Sequence, residues 1–196
     1  MKQICLATGN KNKLIEIKML YSDLNIEWKI LSEFMNVPEV IEDQNSFEGN
    51  ALKKATEINH FTQLITIADD SGLEVDFLNR EPGIRSARFS GEIKNDKANN
   101  AKLLSLLKDV PLEKRTARFC CAAALAGEGM IKIVTGKIEG HIILSPRGES
   151  GFGYDPIFVP DGFDKTFAEL GSEIKNKISH RARAFLKLKQ FVMENI

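Results

Sequence analysis

Two adjacent aspartates, Asp69 and Asp70, stand out among the residues whose types and spacing could perform chemistry. They follow an apolar run at residues 64–68, "LITIA", and precede Ser71 and Gly72. Carboxylates at the end of a buried strand are partly desolvated and repel each other, which favours a cation nearby. Mg²⁺ suits this position because proteins hold it through one or two carboxylates together with substrate phosphates. A tight Asp-rich turn without a ligand explains the same pattern equally well.

The segment Thr8–Lys13, "TGNKNK", is a second candidate because it joins a predicted strand to a predicted helix. The unpaired N–H groups and the positive dipole end of a helix N-terminus favour an anion such as phosphate. Gly9 permits close approach of the backbone, Asn10 can cap the helix, and Lys11 and Lys13 can reach phosphate oxygens. The segment lacks the full P-loop pattern, so this loop alone favours a capped turn with solvated lysines.

The segment "SGFGYDP", residues 150–156, combines glycines with two aromatic residues. Gly151 and Gly153 would let the backbone approach a ligand closely, and Phe152 or Tyr154 could stack on a base. A Gly-rich bend whose aromatic residues cover the core is the simpler explanation of this segment in isolation.

Five basic residues lie close together near the start of the predicted last helix: Lys175, Lys177, His180, Arg181 and Arg183. A lone histidine is more often structural than functional. A His-Arg pair at a helix start, however, is well suited to donate hydrogen bonds to carbonyl or phosphate oxygens.

These segments must be positioned by a mixture of helices and strands. Apolar periodicity and turn residues predict that mixture, with a hairpin closed by the turn "GEG". The fold class is therefore α/β with a mixed sheet. Strands are predicted at residues 2–7, 26–31, 64–68, 73–78, 117–126 and 130–140, and helices at 11–21, 45–59, 95–108 and 179–194.

Composition excludes several classes of function. The 27 basic residues balance the 27 acidic ones, which gives no support to general binding of nucleic acid or a membrane surface. No apolar run is long enough to span a bilayer and no signal-peptide pattern is present, so a cytoplasmic protein is expected. The three cysteines lack C-x-x-C spacing and are predicted to be small buried hydrophobic residues.

Taken together, the polar segments predict a nucleoside triphosphate site. They would supply an anion-binding loop, a carboxylate pair for Mg²⁺, an aromatic surface and a cluster of cationic donors. No serine–histidine–acid or cysteine–histidine arrangement competes with this set. Metal-assisted attack by water is the natural reaction class.

The same segments, in this order, resemble the inosine triphosphate pyrophosphatase family, which includes the dITP/XTP pyrophosphatases. The resemblance extends over residues 6–184. The segments that carry it are "LATGNKNKLIEI", "SFEGNALKKA", "IADDSGLEVD", "PGIRSARFSG", "GFGYDPIF" and "KNKISHRARA".

The resemblance implies a single domain over residues 1–196 with an elongated mixed sheet, and two lobes around a central nucleotide cleft. It implies a homodimer that requires Mg²⁺ and cleanses the nucleotide pool. ITP, dITP or XTP would be cleaved between the α- and β-phosphates, which releases the monophosphate and pyrophosphate.

Residue roles also follow from the resemblance. Asp70 matches the residue that binds the metal and accepts a proton from the attacking water, and Ser71 beside it contacts the substrate. Lys53 matches a helix lysine that meets phosphate. The triphosphate loop corresponds to Thr8, Gly9, Asn10, Lys11, Asn12 and Lys13. The nucleoside segment corresponds to Phe152, Gly153, Tyr154 and Asp155, and the base-side contacts to Lys175, His180 and Arg181.

The second metal ligand departs from the family pattern. The family often has two glutamates where this chain has Ile41 and Glu42. Glu42 is the expected ligand, and Asp43 is the alternative.

Base choice has a physical hypothesis. Hypoxanthine and xanthine carry an acceptor oxygen at position 6, which donors such as His180 or Arg181 would satisfy, whereas adenine presents a donor there. The sequence does not show how guanine is excluded. Two other functions remain open: a Maf-like pyrophosphatase acting on modified pyrimidine nucleotides, and a nucleotide-binding regulator without turnover.

Overall fold

The computed structural model describes residues 1–196, and its six strands form one sheet in the order β2-β1-β3-β4-β5-β6. Strand β1 is parallel to β2 and to β3, whereas β5 is antiparallel to β6. The predicted mixed sheet is therefore confirmed. The strands are β1 (Lys2–Leu6), β2 (Ile26–Ile30), β3 (Ile65–Val75), β4 (Thr116–Gly127), β5 (Met130–Ile142) and β6 (Phe158–Pro160).

Five α-helices accompany the sheet, together with four short 3₁₀ helices, one of them at Gly83–Arg88. Helix α2 begins after Ser46, whose hydroxyl accepts from Gly49 N at 3.0 Å and caps the helix. The hairpin of β4 and β5 turns at Glu128 and Gly129, as predicted. The helices are α1 (Lys11–Leu20), α2 (Phe47–Thr62), α3 (Asp96–Leu106), α4 (Phe167–Ile178) and α5 (His180–Asn195).

Strand β3 differs from the sequence prediction. Its residues 65–75 run through Asp69-Asp70-Ser71-Gly72 without a break, so the predicted turn is wrong. Both aspartates are buried there, at 2% and 7% exposure. A polar sequence can continue a buried strand when partners elsewhere in the chain satisfy its side chains, and local patterning cannot detect those partners.

The basic cluster near the C-terminus also differs from the prediction. Lys175 and Lys177 belong to the separate helix α4, which the sequence did not reveal. Ser179 interrupts the helical path with an extended backbone (φ −66°, ψ 160°), and α5 begins at His180. The cluster is therefore divided between two helices.

The chain divides into two compact units. Unit 1 consists of residues 1–70, 121–136 and 181–196, and unit 2 consists of residues 71–120 and 137–180. The single-domain organisation and the nucleotide cleft stay predictions.

Unit 1 buries apolar residues on both faces of its strands. Because successive side chains of a strand point to opposite faces, Ile4 and Leu6 pack in one cluster and Cys5 and Ala7 in another. The first cluster contains residues of α1 and α5, and the second contains Ala51, Ala55 and Ile58 of α2. This packing holds α1 and α2 against β1 and the first half of β3.

Unit 2 has its own core, in which aromatic residues pack together. The rings of Phe119 and Phe158 lie 4.8 Å apart in an edge-to-face arrangement, and Phe167 packs against both. Leu103 of α3 and Leu107, which directly follows that helix, belong to the same cluster.

Two sequence predictions concern individual residues and membrane segments. Cys5 and Cys121 are buried as predicted, whereas Cys120 is half-buried, and none of the three forms a disulfide. No helix combines the length and the apolar character needed to span a bilayer.

Candidate active site

The loop before α1 is a capped helix N-terminus. Asn10 Oδ1 accepts from Asn12 N at 2.9 Å and from Lys13 N at 3.2 Å. Thr8 Oγ1 accepts from Asn10 N at 3.2 Å. The predicted cap is confirmed. Gly9, Asn10 and Lys11 are exposed, so the backbone of the loop is accessible to a ligand.

Lys13 does not extend into solvent, as a simple capped turn would leave it. Its Nζ lies 2.8 Å from Asp69 Oδ2, and only 17% of its side chain is exposed. The parallel register of β1 and β3 accounts for this contact, because it places Leu6 opposite Ile67. The chain therefore leaves β1 beside the part of β3 that contains the two aspartates.

Asp69 is surrounded by cations. Besides Lys13, Arg181 Nε lies 3.7 Å from its Oδ2, and Lys54 Nζ donates to its carbonyl oxygen at 2.9 Å. Burial opposes ionisation of this carboxyl. The charges of Lys13, Arg181 and Lys54 outweigh that cost and hold its pKa well below the ordinary range. Asp69 is therefore ionised at neutral pH.

Asp70 has the opposite environment. Burial raises its pKa from 3.8 to about 6, the charge of Glu42 contributes in the same direction, and the hydrogen bond from Asn50 opposes it. Asn50 Nδ2 donates to Asp70 Oδ2 at 2.9 Å, and Asn50 is itself 2% exposed. A carboxyl with a pKa near 6 is suited to accept a proton at neutral pH.

Two neighbouring lysines of α2 hold the acids that precede that helix. Lys54 pairs with Glu42, and Lys53 Nζ lies 2.7 Å from Asp43 Oδ1. Burial disfavours the charge on Lys54, but Asp69 and Glu42 outweigh it and raise its pKa. The two candidates for the second metal ligand, Glu42 and Asp43, are therefore paired with different lysines. Of these two acids, only Glu42 has a charge that contributes to raising the pKa of Asp70.

Sequence reasoning missed Asn50 and Lys54. A signal for them exists in the sequence: they are four residues apart, which places two polar side chains beside the small apolar residues Ala51 and Ala55 of α2. Polar residues next to the buried stripe of a helix need a partner, and here the partners are the two aspartates of β3.

The donor set fits a hard divalent cation. No group of three or more His, Cys, Asp or Glu residues is close enough to form a complete protein site. Mg²⁺ does not need one, because it takes one or two carboxylates and completes its shell with phosphates and water. The repulsion that Glu42 exerts on Asp70 is the kind of charge excess that a cation relieves.

The predicted nucleoside segment, residues 152–155, lies in unit 2. Asp155 Oδ2 accepts from Phe152 N at 2.9 Å and from Lys175 Nζ at 2.6 Å. Lys175 Nζ also lies 4.2 Å from the centroid of the Phe152 ring. Lys175 and Asp155 form a buried ion pair, at 3% and 2% exposure.

The two aromatic residues of this segment separate into different roles. Tyr154 is 3% exposed, packs in the core of unit 2 and donates its hydroxyl to Ser86 O at 2.9 Å. Burial raises the pKa of this phenol. The prediction that its ring could stack on a base is therefore not favoured, and Phe152, which is half-buried, is the residue left for that role.

The base-side donors predicted from the sequence are buried rather than exposed. In unit 2, His180 is 3% exposed and its ring stacks on Phe119 at 4.7 Å between centroids. In unit 1, Arg181 is 2% exposed and pairs with Glu16 of α1 as well as with Asp69. Burial opposes the charge on Arg181, but the two carboxylates outweigh it and raise its pKa.

The chain matches known proteins over nearly its full length. A sequence model of the Ham1 family matches residues 4–191. A Bacillus cereus strain ATCC 14579 protein named dITP/XTP pyrophosphatase is 47% identical over 197 residues, covering 99% of this chain and 96% of that protein. A Desulforamulus reducens protein of the same name is 50% identical over 186 residues, covering 94% and 92%.

Solved structures of Ham1 proteins also match this chain over its full length or nearly so. The Staphylococcus aureus Ham1 protein superposes with a TM-score of 0.89 at 40% identity, and the match covers 100% of both chains. A HAM1 protein from Coxiella burnetii superposes with a TM-score of 0.91 at 38% identity, covering 99% of this chain and 100% of that one.

Proposed function

The chain belongs to the Ham1 family, and we propose that it hydrolyses non-canonical purine nucleoside triphosphates such as ITP, dITP and XTP to the monophosphate and pyrophosphate. The resemblance predicted from its motifs is confirmed, and so is the class of enzyme, a nucleoside-triphosphate pyrophosphatase. We further propose that residues 1–196 work as one pyrophosphatase domain.

One observation carries the proposal: Lys13 of the capped loop meets Asp69 at 2.8 Å, next to the buried carboxyl of Asp70. This contact supports a site in which the N-terminus of α1 would bind an anion close to a proton acceptor on β3. Hydrolysis of a polyphosphate requires both, because one binds the negative charge and the other activates water.

Asp70 is the proposed general base. Without metal, its pKa of about 6 leaves it mostly ionised at neutral pH while keeping it more basic than an ordinary aspartate, so that it can take a proton from the attacking water. As pyrophosphate leaves, that proton is held on Asp70. Asn50 holds the carboxylate in place through its hydrogen bond. Asp69 is a poor base because its pKa is low, and its role is to hold Lys13.

Phosphate binding is assigned to unit 1. The loop Thr8–Lys13 provides the N–H groups of the helix start, and Lys11 and Lys13 provide positive charge. Lys53 provides a further cation from α2. Ser71, which follows Asp70 in β3 and is the first residue of unit 2, would also contact the substrate. Asp70 and Glu42 are the proposed ligands of Mg²⁺, which would neutralise negative charge on the phosphates.

Nucleoside binding is assigned to Phe152, Gly153, Tyr154 and Asp155 by the family resemblance. Phe152 would stack on the base, because its ring is only half-buried. Lys175, His180 and Arg181 are the proposed base-side donors. A donor facing position 6 accepts hypoxanthine and xanthine and leaves adenine with two donors opposed, which is costly in a buried site.

A substrate panel tests the proposal. The purified chain is incubated with ITP, dITP, XTP, ATP, GTP, dTTP and a modified pyrimidine triphosphate, with and without Mg²⁺, and pyrophosphate is measured. The proposal expects Mg²⁺-dependent release from the first three nucleotides and little from the others, and loss of release in Asp70→Asn. Release only from the pyrimidine nucleotides would support the Maf-like alternative. Tight binding without any product would support the regulator.

The family resemblance supports two further proposals. The chain would form a homodimer, and it would work in the cytoplasm without nucleic acid or membrane partners. The balanced charge of 27 basic and 27 acidic residues is in keeping with the second proposal. Sedimentation equilibrium at micromolar concentration tests the first.

A further inference from the structure

Helix α3 holds a single residue of the nucleoside segment by both of its main-chain groups. Asp96 Oδ2 accepts from Gly153 N at 2.7 Å. Asn100 Nδ2 donates to Gly153 O at 3.1 Å. Residues four apart lie on the same face of a helix, so Asp96 and Asn100 present an acceptor and a donor to the same residue.

Gly153 is a residue that needs such support. Its φ of +62° lies in the left-handed region, which glycine enters easily and leaves just as easily. Its N–H belongs to the peptide that follows Phe152, and its carbonyl belongs to the peptide that precedes Tyr154. Hydrogen bonds to both groups therefore fix the two peptide planes that flank Gly153, and the first of these planes adjoins Phe152 and limits where its ring can point.

Phe152 is constrained independently from its other side. Its own N–H donates to Asp155 at 2.9 Å, and Lys175, which is paired with Asp155, lies over its ring. The orientation of the ring is thus determined by α3 through Gly153 and by α4 through Lys175. Neither contact involves a phosphate-binding residue.

Capping of α3 and burial of its apolar face do not explain why Asp96 and Asn100 occupy these two positions. The helix is capped by the preceding residue, Asn95, whose side chain accepts from Ala98 N at 3.0 Å, so Asp96 is not required as a cap. Asn100 is 8% exposed, and its Oδ1 has no hydrogen-bond partner within the protein. A buried unsatisfied acceptor is destabilising, and an apolar residue would avoid it. The donation to Gly153 is what an asparagine supplies at this position.

We infer that Asp96 and Asn100 are positioning residues for nucleoside recognition, because they hold Gly153 so that Phe152 presents its ring to the base. The inference rests on the proposed function, in which Phe152 contacts the nucleoside. It assigns to α3 a part in affinity for the purine nucleoside and none in the chemistry at the phosphates.

Three measurements test the inference. KM and kcat are measured for dITP, and calorimetry gives the affinity for IMP and for inorganic tripolyphosphate. Asn100→Leu and Asp96→Ala should each raise KM for dITP and weaken IMP binding by about tenfold, the effect of losing one hydrogen bond that orders the ring. kcat and tripolyphosphate binding should stay within about twofold of wild type. Asp96→Asn keeps an acceptor oxygen and should restore the wild-type KM.

Lys102→Met is the matched control. Lys102 is also on α3 and also bonds to main chain, with Nζ 2.6 Å from Phe89 O, but it does not contact Gly153. It should change neither KM nor IMP affinity. If Asn100→Leu and Asp96→Ala bind IMP like wild type, the inference is overturned, whether or not the chain hydrolyses dITP. It is equally overturned if IMP and tripolyphosphate binding weaken together, since that result shows a general loss of structure.

Failure of the proposed function gives a different result. In that case wild type releases no pyrophosphate from the non-canonical purines. IMP binding needs no turnover, so the wild-type and variant affinities still decide the inference.

Discussion

Lys13 and Asp69 form an ion pair of 2.8 Å that joins the start of α1 to strand β3. The two adjacent aspartates nevertheless have different properties, because the charge of Lys13 favours ionisation of Asp69 whereas burial disfavours ionisation of Asp70. Adjacent side chains in a strand point to opposite faces, so Asp69 faces Lys13 while Asp70 faces Asn50. The pKa of the first is lowered and that of the second is raised to about 6. Two acids separated in this way can divide the work of holding a cation and accepting a proton.

Asp70→Asn should remove activity and stabilise the fold. The buried carboxylate serves as base and as charge, so kcat should fall by about a thousandfold or more. A folded-state pKa of about 6 against an ordinary 3.8 means that ionised Asp70 costs roughly 3 kcal/mol of stability, at about 1.4 kcal/mol per pKa unit. That cost is absent below pH 4 and complete above about pH 7. Urea unfolding at pH 8 and at pH 4 measures it.

The expected sign is a gain in unfolding free energy for Asp70→Asn at pH 8 and little change at pH 4. The exposed Asp109 provides a control, since Asp109→Asn should change neither value by more than about 0.5 kcal/mol. A loss of stability at pH 8 would show that the Asp70 carboxylate is stabilised rather than strained.

Asn50→Ala should raise the pKa of Asp70 further, because the hydrogen bond from Asn50 favours the ionised carboxyl. The ¹³C shift of the Asp70 carboxyl, followed through a pH titration of the metal-free protein, measures this. Wild type should titrate near pH 6, and saturating Mg²⁺ should move the midpoint lower. Asn59→Ala, on the same helix but bonded to Leu64 O, should leave the midpoint unchanged. An unchanged midpoint in Asn50→Ala would contradict the assignment.

Glu16→Gln should destabilise unit 1 by about 2–3 kcal/mol, because it leaves the buried Arg181 with less negative charge. Asp23→Asn is the matched comparison. Asp23 pairs with Lys189, which lies on α5 as Arg181 does, but the Asp23 side chain is 64% exposed. Its removal should have little effect, as is usual for surface ion pairs. Equal losses in the two variants, measured by urea unfolding, would mean that burial of Arg181 does not decide the strength of the pair.

Lys175→Met should cost about 3–5 kcal/mol, because it leaves the Asp155 carboxylate buried without its cation. Adding Asp155→Asn should recover a substantial part, since asparagine is neutral and keeps an oxygen to accept from Phe152 N. The double-mutant cycle in urea unfolding measures the coupling. Additive losses would show that the two side chains act independently.

Several features of the fold could be predicted from local sequence. Each of these features depends on residues that are close together in the sequence. They are the Asn10 cap, the start of α2 after Ser46 and the β4–β5 hairpin. The order of the polar segments was also sufficient to predict the family, because those segments are spread over nearly the whole chain. The extent of β3 was not predictable in this way, since a D-D-S-G sequence has the composition of a turn.

The sequence by itself determined which residues are available for chemistry and which short elements carry them. Only the tertiary structure decided the partners, burial and charge state of each one. Lys13 and Asp69 are 56 residues apart, and Glu16 and Arg181 are 165 residues apart, yet each pair forms an ion pair. The charges of Lys13 and Arg181 lower the pKa of Asp69, burial raises the pKa of Asp70 to about 6, and burial makes Tyr154 a core residue. Charge, burial and pKa depend on neighbours in space, and periodicity along the chain contains no information about those neighbours.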